Sequence, residues 1–128
     1  MAKTGILIVN LGSPDSTKVS DVRRYLDEFL MDKYVIDVPW LLRALIVKGF
    51  ILPFRPKKSA EAYQSVWTDE GSPLIVISEK LKAKLDEKIK HPLALAMRYG
   101  NPSIRSGIEK LLQQMPDMEE LLLIPLYP

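Results

Sequence analysis

The run GILIVNL, residues 5–11, constrains the fold of this chain most, because it is apolar throughout except for Asn10. A strand with one face in water would alternate apolar and polar side chains, whereas an unbroken apolar run indicates a strand that is buried on both faces. Such strands are typical of parallel sheets that carry helices on both faces. The run ends in the turn sequence GSPD, so we predict a buried strand followed by a turn.

Amphipathic helices follow this strand. Apolar residues recur at helical spacing in residues 19–30, and a second helix is expected after RPKK with Ser59 as its N-cap. Asn101 and Pro102 should begin another helix. A long helix opened by GSP should bury one apolar stripe. That stripe comprises Leu74, Ile77, Leu81, Leu85 and Ile89.

Two further apolar runs, residues 93–97 and 121–126, are predicted as strands. Strands that alternate with amphipathic helices predict an α/β fold with a parallel sheet flanked by helices. Pro125 inside the last run indicates either an edge position or a local break in the strand. The predicted sheet looks unfinished, so we expect one domain over residues 1–128 in an incomplete chain.

Composition excludes several functions. The chain has 128 residues, of which 47% are hydrophobic and 27% are charged, and this is typical of one globular domain. It has no cysteine and a single histidine, His91, so neither a thiolate nor a histidine-rich metal site is expected. Eighteen basic residues are balanced by 16 acidic ones, which gives no case for nucleic-acid binding. The amino terminus lacks the pattern of a signal peptide, so a cytoplasmic protein is expected.

The segment VPWLLRALIVKGFILPF, residues 38–54, is unusually apolar but too short and too charged to span a membrane. One interpretation is a helix of the hydrophobic core. The other is an apolar lip over residues 40–54 that holds an apolar ligand or makes peripheral contact with a membrane surface.

Ligands of open parallel sheets bind at the carboxyl ends of the strands, where this sequence places Arg98, Tyr99 and Tyr127. An arginine fork suits carboxylates and a tyrosine offers a flat ring, so the pair suits a flat acidic ligand. A structural ion pair beside a packed tyrosine is the alternative.

Two other segments also allow two interpretations. Ser72 is either a helix cap or a carboxylate ligand. The basic cluster FRPKK is either a solvated surface or a site for an acidic group.

Taken together, several segments resemble the amino-terminal part of the ferrochelatase family, whose members insert ferrous iron into a porphyrin during haem biosynthesis. They are ILIVNLGSPD, VRRYLDEFLMDKYVI, RPKKSAEAYQSVWTDEGSPL, AMRYGNPSI and IPLYP, in the family's order. The resemblance implies a lyase with two Rossmann-like lobes and a porphyrin cleft between them, of which this chain would form the first. Porphyrin and ferrous iron would be substrates, and no resident cofactor is implied.

The resemblance also implies roles for individual residues. The porphyrin-binding positions would be Leu11, Arg55, Ser72, Arg98, Tyr99 and Tyr127, with Lys58 as a further propionate contact. The family's catalytic histidine and glutamate have no match here, and His91 lies outside that motif. We therefore expect no catalytic or metal-binding residue in this chain, and no activity from the 128 residues alone.

Two other functions stay open from the sequence. One is a porphyrin- or haem-binding module without catalysis, and the other is a generic nucleotide-binding α/β domain. The absence of any phosphate-binding glycine motif argues against the second. The sequence does not predict an oligomeric state.

Overall fold

The computed structural model describes residues 3–128 and divides the chain into two compact units. The sheet unit consists of Met1–Gly12 and Leu74–Pro128, and the helical unit consists of Ser13–Pro73. The elements, in chain order, are β1 (Thr4–Ser13), α1 (Val19–Leu30), α2 (Trp40–Ala44), a π-helical turn (Leu45–Ile51), α3 (Arg55–Val66), α4 (Pro73–Lys88), β2 (Leu93–Gly100), α5 (Ile104–Gln114) and β3 (Glu120–Pro125). The predicted extent of the domain, residues 1–128, stays a prediction.

The sheet unit contains an open, three-stranded parallel sheet in the order β2-β1-β3. β1 and β3 pair in register from Thr4 opposite Glu120 to Val9 opposite Pro125. The predicted α/β class with a parallel sheet is therefore confirmed. β1 lies in the centre, which explains why its sequence is apolar on both faces.

Helices cover both faces of the sheet. Ile6 and Ile8 pack with β2 residues on the face that α4 covers, whereas Leu7 and Val9 pack on the α5 face. Leu7 is fully buried, and burial of an aliphatic side chain of this size contributes roughly 1.5–3 kcal/mol to folding. The strict alternation along β1 thus builds two separate cores from one apolar run.

β3 differs from the other strands because all of its residues are exposed. Its apolar side chains Leu121, Leu122, Leu123 and Ile124 are between 39% and 54% exposed. The predicted edge position of Pro125 is confirmed by the strand order, since a proline at an edge removes no ladder hydrogen bond from a neighbouring strand.

In the helical unit, α1 packs against α3. Val22 and Tyr25 are the buried residues of α1, and the Tyr25 ring stacks on Phe29 with centroids 6.2 Å apart. α3 begins at Arg55 rather than at the predicted Ser59, because Pro56 fits the first turn of a helix and extends it. Ser59 lies inside α3, where its hydroxyl accepts a hydrogen bond from Arg55 Nε at 3.3 Å.

The apolar segment is not a core helix, so that interpretation is wrong. Within it only Arg43, Val47 and Leu52 are buried, and most of its large apolar side chains are exposed. The π-helical turn bonds Leu52 N–H to the carbonyl of Val47 at 2.8 Å, five residues back. This extra residue per turn aligns Leu52 with Val47, while Phe50 stays in solvent. We call residues 40–54 the apolar lip.

Two further predictions of local structure are wrong. In α4, Ile77 is 67% exposed, and Ser78 is the buried residue of that helix. In α5 the N-cap is Ser103, not Asn101, because Ser103 Oγ accepts a hydrogen bond from the Ser106 amide at 3.1 Å. Asn101 and Pro102 instead form the turn after β2, where Met97 N–H donates to the Pro102 carbonyl at 2.7 Å.

Among the helices described, none combines the length and apolar character needed to cross a membrane.

Candidate functional site

The helical unit contains a pocket of about 870 Å³ with an apolar floor and a basic rim, which we call the basic pocket. Ligand pockets commonly have volumes of about 300–1,000 Å³. Its apolar lining comes from α1 and the apolar lip and comprises Leu26, Phe29, Leu30, Phe50, Ile51 and Phe54. Phe50 and Phe54 are 66% and 76% exposed, so they offer apolar surface that the helical unit itself does not cover.

The rim of the basic pocket carries three cations, Arg55, Lys57 and Lys58, and one carboxylate, Glu61. All three cations lie in the first turn of α3, where the sequence supplies no acidic residue. Free amide groups at a helix N-terminus add a positive potential, so cations in this place repel one another unless an anion binds. The structure thus brings the predicted residues Arg55 and Lys58 together at one rim.

A smaller pocket of about 340 Å³ adjoins this turn, with Arg55, Lys58 and Tyr63 in its wall. Burial raises the pKa of the Tyr63 hydroxyl, so this side chain remains a neutral hydrogen-bond donor at physiological pH. The Tyr63 ring meets Trp67 edge-on, with centroids 6.2 Å apart and an interplanar angle of 87°. The contact holds Tyr63 at the end of α3 that leads into the next turn.

Ser72 directly follows a tight turn and is only 6% exposed. Thr68 and Gly71 exchange two backbone hydrogen bonds of 2.9 and 3.0 Å, which close the turn just before Ser72. Gly71 has φ +118°, a backbone conformation that glycine adopts without steric cost. Its role as a propionate contact stays a prediction.

The carboxyl ends of β1 and β2 meet closely in the sheet unit. Gly12 has φ +121°, and a Cβ atom built on it would overlap the carbonyl oxygen of Tyr99. This position therefore requires glycine for two reasons: the positive φ angle and the lack of space for a side chain. The contact fixes the end of β1 beside Tyr99.

Arg98 and Tyr99 do not share one environment. Arg98 is half-buried, and its guanidinium lies 4.8 Å from the centroid of the Tyr99 ring, whereas Tyr99 itself is only 5% exposed. This geometry is a cation–π contact. The Tyr99 ring therefore contacts the Arg98 guanidinium and is itself almost fully buried.

Side-chain alternation sorts the other predicted residues of the sheet unit. Tyr127 packs on the α5 face with Leu7 and Val9, and Leu11 follows these two at the next alternate position. Arg98 falls on the same face, because Ala94 and Ala96 precede it at alternate positions. Strand alternation therefore assigns Leu11 and Arg98 to the face on which Tyr127 packs, and we call these three residues the strand-end group.

Sequence reasoning missed the polar side chains on the opposite face. Asn10 Nδ2 donates to Ser78 Oγ at 3.0 Å, and this links β1 to α4. A serine in the apolar stripe of a helix would have been the signal, but the spacing of the apolar residues assigned that place to Ile77. The contribution of α1 to the basic pocket was also missed, because Leu26, Phe29 and Leu30 are distant in sequence from the apolar lip that was expected to hold an apolar ligand.

No group of three or more metal-binding side chains is present in residues 3–128. His91 is exposed and precedes β2, so it lies at the amino end of a strand whose carboxyl end bears Arg98. The histidine is therefore remote from the strand-end group.

These features define an α/β protein with a parallel sheet and a pocket suited to a large apolar ligand that bears acidic groups. The family model described as Ferrochelatase matches residues 3–128. The chain belongs to the ferrochelatase family, so the resemblance seen in the sequence is confirmed.

Curated relatives extend this result. A ferrochelatase from Vibrio atlanticus (strain LGP32) is 50% identical over 126 residues, which cover 98% of this chain and 39% of the relative. Ferrochelatases from Pseudomonas syringae pv. tomato and Pseudomonas aeruginosa (strain UCBPP-PA14) are both 52% identical over 129 residues, covering 100% of this chain and 37% of each relative. The chain therefore spans less than two fifths of the length of these relatives.

Proposed function

We propose that this chain supplies porphyrin-binding surfaces to a ferrochelatase that inserts ferrous iron into a porphyrin during haem biosynthesis. The basic pocket carries the proposal, because its lining matches the two parts of such a substrate. A porphyrin is a flat apolar disc with propionates at its edge. An apolar floor with Phe50 and Phe54 suits the disc, and the cationic rim suits the propionates.

The rim residues would hold the porphyrin by its edge. Arg55 offers a planar fork for a bidentate contact with one carboxylate, and Lys58 offers a point charge close to it. Apolar contacts would hold the face of the porphyrin, and the cations would hold the propionates at its edge. Together they would fix how deeply the porphyrin enters the pocket and how it is rotated there. Such fixed placement is what a positioned reaction requires.

We also propose that the strand-end group contacts the porphyrin. Leu11 would lie against the ring plane, Arg98 would act as a polar wall held by Tyr99, and Tyr127 would add an aromatic contact. The cation–π support of Arg98 and the location of this group at carboxyl strand ends favour this role. Ser72 would serve as a further propionate contact in the helical unit.

Metal insertion needs a base that removes the pyrrole N–H protons and walls that distort the ring. This chain offers walls, but its one histidine is remote from the strand-end group. Ferrous iron enters the proposal as a substrate, and residues 3–128 contain no group of three or more metal-binding side chains. We therefore propose that binding resides here and that the proton-transferring groups belong to another part of a ferrochelatase.

Porphyrin titration tests this proposal. The 128-residue chain should quench protoporphyrin fluorescence saturably, with a weaker effect for a porphyrin whose propionates are methyl esters. In an anaerobic assay with ferrous iron, the same chain should show no insertion above the buffer rate. Absence of saturable binding would refute the proposal, and turnover by the chain alone would contradict the location of the catalytic groups. A non-catalytic haem-binding module would instead bind haem more tightly than free porphyrin.

The apolar lip supports a proposal of peripheral membrane contact. Trp40, Leu41 and Phe54 are each more than 60% exposed, and Lys48 and Arg55 lie in or beside the same segment. Exposed aromatic and basic residues favour binding to anionic lipid surfaces. We expect the chain to sediment with vesicles of phosphatidylcholine and phosphatidylglycerol in low salt. Trp40→Glu/Leu41→Glu should release it, whereas Leu112→Glu, an exposed leucine of α5, should not.

A further inference from the structure

We propose that Ser78 is a positioning residue that fixes Leu11 by holding the side chain of Asn10. The proposal rests on the proposed function in one respect, because the role of Leu11 as a porphyrin contact belongs to that function. Neither Ser78 nor Asn10 has a role in the sequence-based expectations.

Three hydrogen bonds carry the proposal. Ser78 is 3% exposed on α4, and its hydroxyl donates to the carbonyl of Leu74 at 2.7 Å. Asn10 Nδ2 donates to the same hydroxyl oxygen at 3.0 Å. The backbone N–H of Leu11 then donates to Asn10 Oδ1 at 2.8 Å. A continuous chain of donors thus runs from the end of β1 to the first turn of α4.

The directions of these bonds leave one arrangement. A serine hydroxyl has a single proton, and here the Leu74 carbonyl accepts it, so Ser78 Oγ presents lone pairs to Asn10. The Asn10 amide must therefore point Nδ2 at Ser78. Its oxygen is then left for the Leu11 N–H, which can only donate. Ser78 selects the orientation of the amide, and the amide in turn holds the backbone of Leu11.

The backbone of Leu11 is held from both sides. Asn10 binds its amide, and the next residue is Gly12, which lies against the Tyr99 carbonyl. A side chain on such a doubly fixed backbone keeps one position, and a group that contacts a ligand through packing needs this. Ser78 is therefore a support for the strand-end group that acts from the opposite face of the sheet.

A helix serine that bonds back to the carbonyl four residues earlier is often only a local feature. Ser78 differs because its oxygen also accepts from a strand residue 68 positions away in sequence. Ser106 provides a matched comparison, since its hydroxyl donates to the Ser103 carbonyl at 2.8 Å within α5.

The test combines amide exchange with porphyrin titration on Ser78→Ala, Ser78→Thr and Ser106→Ala. Ser78→Ala should speed exchange of the Leu11 amide about tenfold relative to other β1 amides and weaken protoporphyrin binding about tenfold. Ser78→Thr keeps the hydroxyl and should restore both values, and Ser106→Ala should change neither. A general loss of stability would instead speed exchange throughout the core and leave no selective effect at Leu11.

Unchanged Leu11 exchange in Ser78→Ala overturns the proposal. If Ser78→Ala does not fold, Ser78→Cys provides the same measurements, because a thiol of similar volume is a weaker acceptor. If the unmodified chain does not bind protoporphyrin, the proposed function is wrong. The exchange rate of the Leu11 amide in Ser78→Ala still decides whether Ser78 positions the end of β1. If Ser78→Ala speeds amide exchange only at Leu11 but leaves porphyrin affinity unchanged, Ser78 positions Leu11 without any effect on binding. That result contradicts the role of this position in porphyrin binding.

Discussion

Replacing Gly12 with alanine is expected to lower the free energy of unfolding by roughly 3 kcal/mol. The new Cβ would overlap the carbonyl oxygen of Tyr99, and the φ angle of +121° is strained for any residue with a side chain. Both effects act on the same contact between the ends of β1 and β2, so the strands must separate there. Urea unfolding of the two proteins, followed by circular dichroism, gives the difference directly.

Gly71→Ala separates the two causes. Gly71 has a similar φ of +118°, but a Cβ built there meets no atom within 4 Å. Its expected cost is therefore backbone strain alone, about 1–2 kcal/mol. If Gly12→Ala costs no more than Gly71→Ala, the close approach to Tyr99 does not constrain the strand ends and our account of that contact is wrong.

Reversing both charges in Arg55→Glu/Lys58→Glu should weaken protoporphyrin binding about a hundredfold, since loss of one charge-assisted hydrogen bond commonly costs about tenfold. The added carboxylates would also repel the propionates at the rim of the basic pocket. Fluorescence titration at low salt measures the effect, and added salt should weaken binding to the unmodified chain for the same reason.

Lys84→Glu/Lys88→Glu makes the same change in net charge on the exposed side of α4 in the sheet unit. It should alter protoporphyrin affinity by less than about threefold, because neither Lys84 nor Lys88 lines the basic pocket. Equal losses for the two double variants would mean that net charge, rather than the rim, attracts the porphyrin. A methyl-ester porphyrin should bind both double variants equally.

The sequence predicted the strands and helices of the sheet unit well, because the spacing of apolar residues indicates how many faces of a strand or helix are buried. The unbroken run of β1 predicted a strand of a parallel sheet that is buried on both faces, and the alternation of strands and helices predicted the class. Helix ends were predicted less well. Ser59 and Asn101 were wrongly predicted as N-caps, because several residues near each helix start have capping chemistry and the geometry of the preceding turn selects among them.

The candidate site was predicted only in part. Arg55 and Lys58 share a rim, and strand alternation assigns Leu11, Arg98 and Tyr127 to one face. The contact of these residues with porphyrin stays a prediction. The sequence did not predict that Tyr99 is only 5% exposed and that its ring contacts the Arg98 guanidinium, and its role as a porphyrin contact stays a prediction. The burial of a side chain depends on residues from other helices and strands. The pattern of residues along the sequence does not show which of those residues pack against it.

By itself, the sequence determined the parallel α/β class, the absence of a cysteine- or histidine-rich metal site, and the family to which the chain belongs. Those properties follow from local periodicity, composition and the order of short segments. Only the tertiary structure decided that the apolar lip is exposed, that Gly12 touches Tyr99, and that Ser78 reaches Asn10 across 68 residues of chain. These are contacts between distant segments, and their free energies depend on distances of a few ångströms that the amino-acid pattern does not specify.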